Sequence, residues 1–206
     1  MGSVGGIVLA GGSARRLGTD KALLRTGGLT FAQQVVSALG AAGIAPIVVV
    51  RGGDQPDPLV EGAEVVVDGT SGLGPLEGIR TGLAALAGRV ETAMVAPVDA
   101  PRLEPALVRV LLAALAAHPE ADAAVPVRGG RLQPLTAAYR VSLLPLASRL
   151  LDEGERRARA LPAACEAVLL DEAALLADAG LRGADPELAS LDDVDERADL
   201  DRLEGR

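Results

Sequence analysis

The chain reads as an α/β protein, a three-layer αβα sandwich around a mostly parallel sheet with a small antiparallel excursion. Three observations predict this class. Short, β-branched apolar runs alternate with amphipathic helical stretches, the pattern of parallel strands covered on both faces. The notable polar motifs each fall just after one of those runs. Past Pro126 the alternation gives way to glycine-bearing, hairpin-like sequence.

The candidate strands are Val4–Leu9, Ile47–Val50, Val65–Val67, Thr92–Ala96 and Ala123–Pro126. Between them lie candidate helices at Thr30–Ala42, Leu76–Ala87 and Pro105–Ala117. Thr30 and Glu104-Pro105 have the chemistry of helix starts. Gly43 and His118-Pro119 have that of helix stops, which makes His118 a helix-end residue and not a ligand. Gly129-Gly130 signals a turn, and Leu132–Tyr139 is strand-like despite Pro134. Helices over Val141–Glu153 and Glu155–Leu161 follow, then a strand over Ala167–Leu170. A Gly/Pro-containing loop over residues 180–191 leads to a last short helix, Glu196–Leu203. With no internal repeat, low-complexity tract or long linker, residues 1–206 are expected to form a single domain.

Apolar residues make up 49% of the 206, enough for a sizeable core. The net charge of −8 is uneven: residues 1–150 carry 13 basic and 12 acidic side chains, residues 151–206 carry 7 and 16. The acidic balance argues against non-specific nucleic-acid binding, which needs a basic surface. Phe31 and Tyr139 are the only aromatic residues, too few for a base-stacking platform. A single cysteine, Cys165, excludes an internal disulfide, and with a single histidine it excludes a Cys/His zinc cluster. The most apolar stretch, "ALVRVLLAALAA", contains Arg109 and is too short to span a bilayer. No signal-like segment opens the chain, so a cytoplasmic soluble protein without a membrane partner is expected. Asparagine is absent, and Lys21 is the one lysine against 19 arginines. A compact ammonium and a planar guanidinium are not interchangeable, so Lys21 stands out.

In an open parallel sheet, ligands bind beyond the carboxyl ends of the strands. "LAGGSARRLGTDKALL", Leu9 to Leu24, follows the first strand. Gly11 and Gly12 let the backbone approach a ligand, and Arg15, Arg16 and Lys21 can neutralise phosphates. The glycine spacing fits neither a P-loop nor the dinucleotide fingerprint, so the loop is a triphosphate cradle or a tight strand-to-helix turn. Asp99 follows the fourth strand between Pro97 and Pro101. It is either a rigid ligand for Mg²⁺ on a nucleotide or a cap for the next turn. Asp193 or Asp195 could add a second carboxylate, or belong to a solvated helix start. Asp68 follows the third strand. The glycines after it, Gly74 among them, can wall a base or ribose or form a plain loop. Arg128, Arg131 and Gln133 could meet a second substrate or sit on a surface hairpin. No nucleophile–base pair emerges, which leaves in-line displacement at phosphorus driven by positioning and charge neutralisation.

The opening block resembles the N-terminal motif of the molybdenum cofactor guanylyltransferases, within the nucleotidyltransferases of Rossmann-like fold. "GPLEGI" at 74–79, "VDAP" at 98–101, "LQPLTAAYR" at 132–140, "GERR" at 154–157 and "DVDERADL" at 193–200 resemble that family's later blocks, in order. The resemblance implies a nucleotidyltransferase-type fold and transfer of GMP from GTP to molybdopterin-bound molybdenum cofactor, with release of pyrophosphate and Mg²⁺ as cofactor. It implies backbone contacts to GTP around Leu9, Ala10 and Gly11, phosphate binding by Lys21 with help from Arg16, nucleoside contact at Asp68 and metal binding at Asp99. Molybdopterin would lie against the later blocks, near Arg131, Gln133 and Gly154–Arg156. Partner molybdoenzymes or other cofactor-biosynthesis proteins would receive the product. The chain departs from the family pattern in having Arg51-Gly52-Gly53 where an Asn is common, Val98 where a Cys is common, and Asp193-Val194-Asp195 in an Asn-rich block. The alternatives are a cytidylyltransferase for molybdopterin, a sugar-phosphate nucleotidyltransferase, or a non-catalytic nucleotide-binding partner of molybdoenzymes.

Overall fold

Residues 2–11, 20–69, 74–194 and 199 are described by the structure, a computed structural model. Among the described residues the strands are β1 (Val4–Leu9), β2 (Arg25–Thr26), β3 (Leu29–Thr30), β4 (Ile47–Arg51), β5 (Glu64–Val67), β6 (Thr92–Pro97), β7 (Ala123–Arg128), β8 (Arg131–Leu132), β9 (Ala137–Arg140) and β10 (Ala167–Leu170). The helices are α1 (Phe31–Ala41), α2 (Pro75–Leu86), α3 (Pro105–Ala117), α4 (Leu144–Asp152), α5 (Ala160–Ala163), α6 (Glu172–Leu176) and α7 (Ala179–Ala184).

The main sheet runs β5-β4-β1-β6-β9-β7-β10, with β8 paired to β7. Every pairing on that path is parallel except the two made by β9, which is antiparallel to β6 and β7. Strand residues alternate between two cores. Val8, Val49, Met94 and Ala124 face α1, α3, α6 and α7, while Ile7, Val48, Val95 and Val125 face α2, α4 and α5. The expected three layers follow from that period of two.

The helices form for local reasons. Thr30 accepts the Gln33 N–H at 3.2 Å and caps α1, whose buried Phe31, Val35 and Leu39 recur at helical spacing. Pro75 opens α2, which buries Leu76, Ile79, Leu83 and Leu86. Gly82 lies so close to β1 that a Cβ there would meet Ile7 Cγ2 at 2.5 Å. His118 closes α3 as expected, its Nδ1 2.9 Å from the Ala114 carbonyl oxygen.

The strand expectations hold to within two residues, and the later segments differ from theirs. Leu132–Tyr139 divides into β8 and β9. Pro134 has no N–H for a ladder, and the Thr136 N–H turns back to the Gln133 carbonyl. Glu155–Leu161 is not one helix. The Glu155 carboxylate takes the Arg156 and Arg157 N–H groups, holding a turn, and only Ala160–Ala163 is helical. Val141–Glu153 begins as a 3₁₀ turn over Val141–Leu143 before α4. The expected loop over 180–191 contains most of α7, capped by Asp178, and α6 is likewise capped by Asp171. The β2–β3 hairpin was not anticipated. The expected helix Glu196–Leu203 lies outside the described residues apart from Asp199.

Candidate functional site

The strand order reverses between β1 and β6. From β1 the chain steps outward to β4 and β5, then crosses back through α2 to β6. A crevice opens at such a point, beyond the carboxyl ends of the strands. Two hydrogen bonds draw those ends together: Val98 N–H donates to the Leu9 carbonyl at 3.0 Å and Ala10 N–H to the Val50 carbonyl at 2.8 Å.

Lys21 and Asp99 meet there. Lys21 Nζ lies 2.7 Å from Asp99 Oδ2, with side-chain exposures of 15% and 22%. Lys21 stands on a 3₁₀ turn, Lys21–Leu23, capped by Asp20, whose Oδ1 accepts the Ala22 N–H at 2.9 Å. The other oxygen of Asp20 accepts from Gln55 Nε2 at 2.8 Å, and that same nitrogen reaches the Ala10 carbonyl at 3.1 Å. Gln55 was not singled out from the sequence. Its signal would have been a polar residue in the loop after β4, at the same end of the sheet as the first loop.

The other predicted residues divide between this centre and its surroundings. Leu9 and Ala10 are buried, and Gly11 is exposed with open space beside it. Gly12, Arg15, Arg16 and Asp195 lie outside the described residues. Asp68 follows β5, its N–H bonded to the Arg51 carbonyl at 2.7 Å. Its carboxyl adjoins Glu77 and Arg80. Glu77 is almost fully buried at the start of α2, and the Arg80 guanidinium bonded to both its oxygens holds its carboxyl below the usual range. Gly74 enters α2 at φ 81°, and a Cβ there would stand 2.8 Å from the Arg156 carbonyl oxygen. The "GERR" turn therefore abuts the N-terminus of α2, and Arg156 O also accepts the Leu76 N–H.

Arg128 is engaged by the C-terminal segment. It binds the Asp192 carboxylate and the Leu188 and Glu187 carbonyls, and Arg102 binds the other Asp192 oxygen at 3.2 Å. Two residues on, Val194 N–H donates to the Asp99 carbonyl at 2.9 Å. Exposed Asp193 thus neighbours the peptide of Asp99 through the chain itself. Arg131 is exposed and Gln133 half-buried on the β8 side.

Residues 6–168 match the MobA-like NTP transferase domain. The chain belongs to this family. A MobA-like relative from Opitutus terrae, named "Probable molybdenum cofactor guanylyltransferase", is 39% identical over 155 residues, 75% of each chain. A relative of the same name from Mycobacterium bovis is 38% identical over 166 residues, 79% of this chain and 81% of that one. The fold is that of the molybdopterin-guanine dinucleotide biosynthesis protein A of Archaeoglobus fulgidus, with a TM-score of 0.75, 24% identity, and 97% and 96% of the two chains covered. The MobA-like match ends at residue 168, before the segment that reaches back to Asp99. Among the described residues, no helix is long and apolar enough to cross a membrane.

Proposed function

We propose that this nucleotidyltransferase moves GMP from GTP to the terminal phosphate of molybdenum-loaded molybdopterin, and that residues 1–206 act as one domain in doing so. The acceptor phosphate oxygen attacks the α-phosphorus, the bond to the bridging oxygen breaks, and pyrophosphate leaves with the electron pair. The meeting of Lys21 and Asp99 at the switch point carries this reading, and the names of the curated relatives support guanylyl transfer.

The paired charges suit a site that waits for a nucleotide. Lys21 and Asp99 neutralise one another across the crevice. A triphosphate offers the ammonium a stronger anion and releases the carboxylate toward a cation. Asp99 is a hard oxygen donor, and among the described residues no group of three or more His, Cys, Asp or Glu side chains could hold a metal. That donor set fits Mg²⁺, which commonly takes one or two carboxylates and completes its shell with phosphate oxygens and water. Asp99 would hold the ion, with Asp193 or Asp195 as a second carboxylate. Mg²⁺ held there would supply positive charge against the phosphates. Lys21, helped by Arg16, binds the phosphates. The backbone of Leu9, Ala10, Gly11 and Gly12 lines them, and Asp68 and Gly74 face the nucleoside. Molybdopterin lies toward the Gly154–Arg156 turn.

The test is pyrophosphate release from GTP, Mg²⁺ and molybdenum-loaded molybdopterin. Lys21→Ala and Asp99→Ala are each expected to slow turnover at least ~10²-fold, the scale of losing a group aimed at transition-state charge. Near-native turnover in either variant removes that residue from the mechanism. A thermal shift with CTP and Mg²⁺ but none with GTP would move the assignment to cytidylyl transfer.

A further inference from the structure

We infer that Gln55 is a positioning residue that holds the Lys21 turn in register with Asp99. The inference rests on the assignment of Lys21 to the triphosphate. Both Gln55 Nε2 contacts belong to the first loop: the Ala10 carbonyl at 3.1 Å, where β1 ends, and Asp20 Oδ2 at 2.8 Å, immediately before Lys21. The amide nitrogen has two hydrogens, so each contact can be a full hydrogen bond. One carboxamide thus ties the two flanks of residues 11–19 to each other.

The carboxamide oxygen is equally occupied. Gln55 Oε1 accepts the Gly52 N–H at 2.7 Å, and the Gln55 N–H donates to the Gly52 carbonyl at 3.1 Å. Arg51 gathers the same loop, its Nη1 donating to the Gly52, Gly53 and Gln55 carbonyls at 3.0, 3.4 and 2.6 Å. The Arg51 guanidinium therefore builds a platform for the amide four positions later. From that platform the path is short. Gln55 holds one Asp20 oxygen, the other Asp20 oxygen caps the turn at Ala22, and Lys21 in that turn meets Asp99. An amide whose donors and acceptor are all engaged within the protein orients its neighbours and does not itself read the base.

A double-substitution cycle tests the inference. In Gln55→Met the side chain keeps its length and loses both donors. We expect kcat/KM for GTP to fall at least about thirtyfold, the scale of two hydrogen bonds, one of them to a charged group. In a Lys21→Ala background the same change should cost less than about twofold, because Gln55 acts through the ammonium. Gln55→Glu preserves shape and the acceptor for Gly52 but sets an oxygen against the Asp20 carboxylate. It should lose at least as much as Gln55→Met, with kcat falling more than GTP affinity measured by equilibrium binding. Additive losses in the cycle, or near-native kcat/KM in Gln55→Glu, would overturn the positioning role. Failure of the underlying assignment is separately visible, since Lys21→Ala alone would then turn over normally.

Discussion

A contact of 2.7 Å joins Lys21 and Asp99 across 78 positions of sequence. The pair is partly buried at the crevice, where it presents charge to a ligand from a partly desolvated site. Cys165 shows the opposite situation. Burial, reinforced by the negative charges of Asp122 and Glu166, pushes its thiol up to about 11. The thiolate is the reactive form, so at neutral pH the folded protein should react with a disulfide reagent such as DTNB far more slowly than the unfolded chain. Its rate should climb with pH until about 11. Rapid labelling at pH 7.5, with the protein shown to be folded, would contradict that environment. Lys21 and Asp99 were legible from sequence because a lone lysine and a proline-flanked carboxylate each follow an apolar run. Gln55 and Arg128 were not. Residue type gives chemistry but not direction, and each partner lies far along the chain: Asp20 for Gln55, Asp192 for Arg128.

At the scale of elements, the seam between α2 and β1 decides how accurately the crevice is built. α2 runs from the Gly74 entry over the strand whose end bears the first loop. Gly82 permits the close approach, and Ile7, fully buried and stiff at χ1, has no room to withdraw. Gly82→Ala should therefore destabilise by about 1–3 kcal/mol through overpacking. At this chain length that is roughly 2–4 °C of Tm for each kcal/mol, measurable by calorimetry. An unchanged Tm would mean the seam has slack. The long elements are legible in the sequence because their apolar period extends over many residues. The short helices α5, α6 and α7 are not legible there, for the converse reason. With four to six residues each, their caps and tertiary packing decide them more than any periodic pattern.

Across the whole molecule, buried and bonded carboxylates couple folding to pH. Arg80 lowers the Glu77 carboxyl, and Arg157 with two backbone N–H groups lowers that of Glu155. A folded-state value below the unfolded one means the unfolded chain binds protons first as pH falls. Their stabilisation is present above the ordinary value of 4.5 and is lost as pH drops through the folded values. Urea midpoints should hold steady near neutral pH and decline below about 4.5. Glu77→Gln should make that acid decline shallower, and an identical slope would exclude Glu77 as a contributor. The fold class was visible at this scale because strand–helix alternation and the placement of polar loops are properties of the chain as a string. Which late segments close over which strands is not.

The bond from Val194 to the Asp99 carbonyl has a temporal consequence. A ribosome makes both members of the central ion pair well before it reaches the peptide that pins one of them. Until then, the apolar surface that Leu175, Leu181, Leu188, Leu191 and Val194 will cover stays open to water. The nascent polypeptide therefore gains its finished crevice only once Val194 has been made.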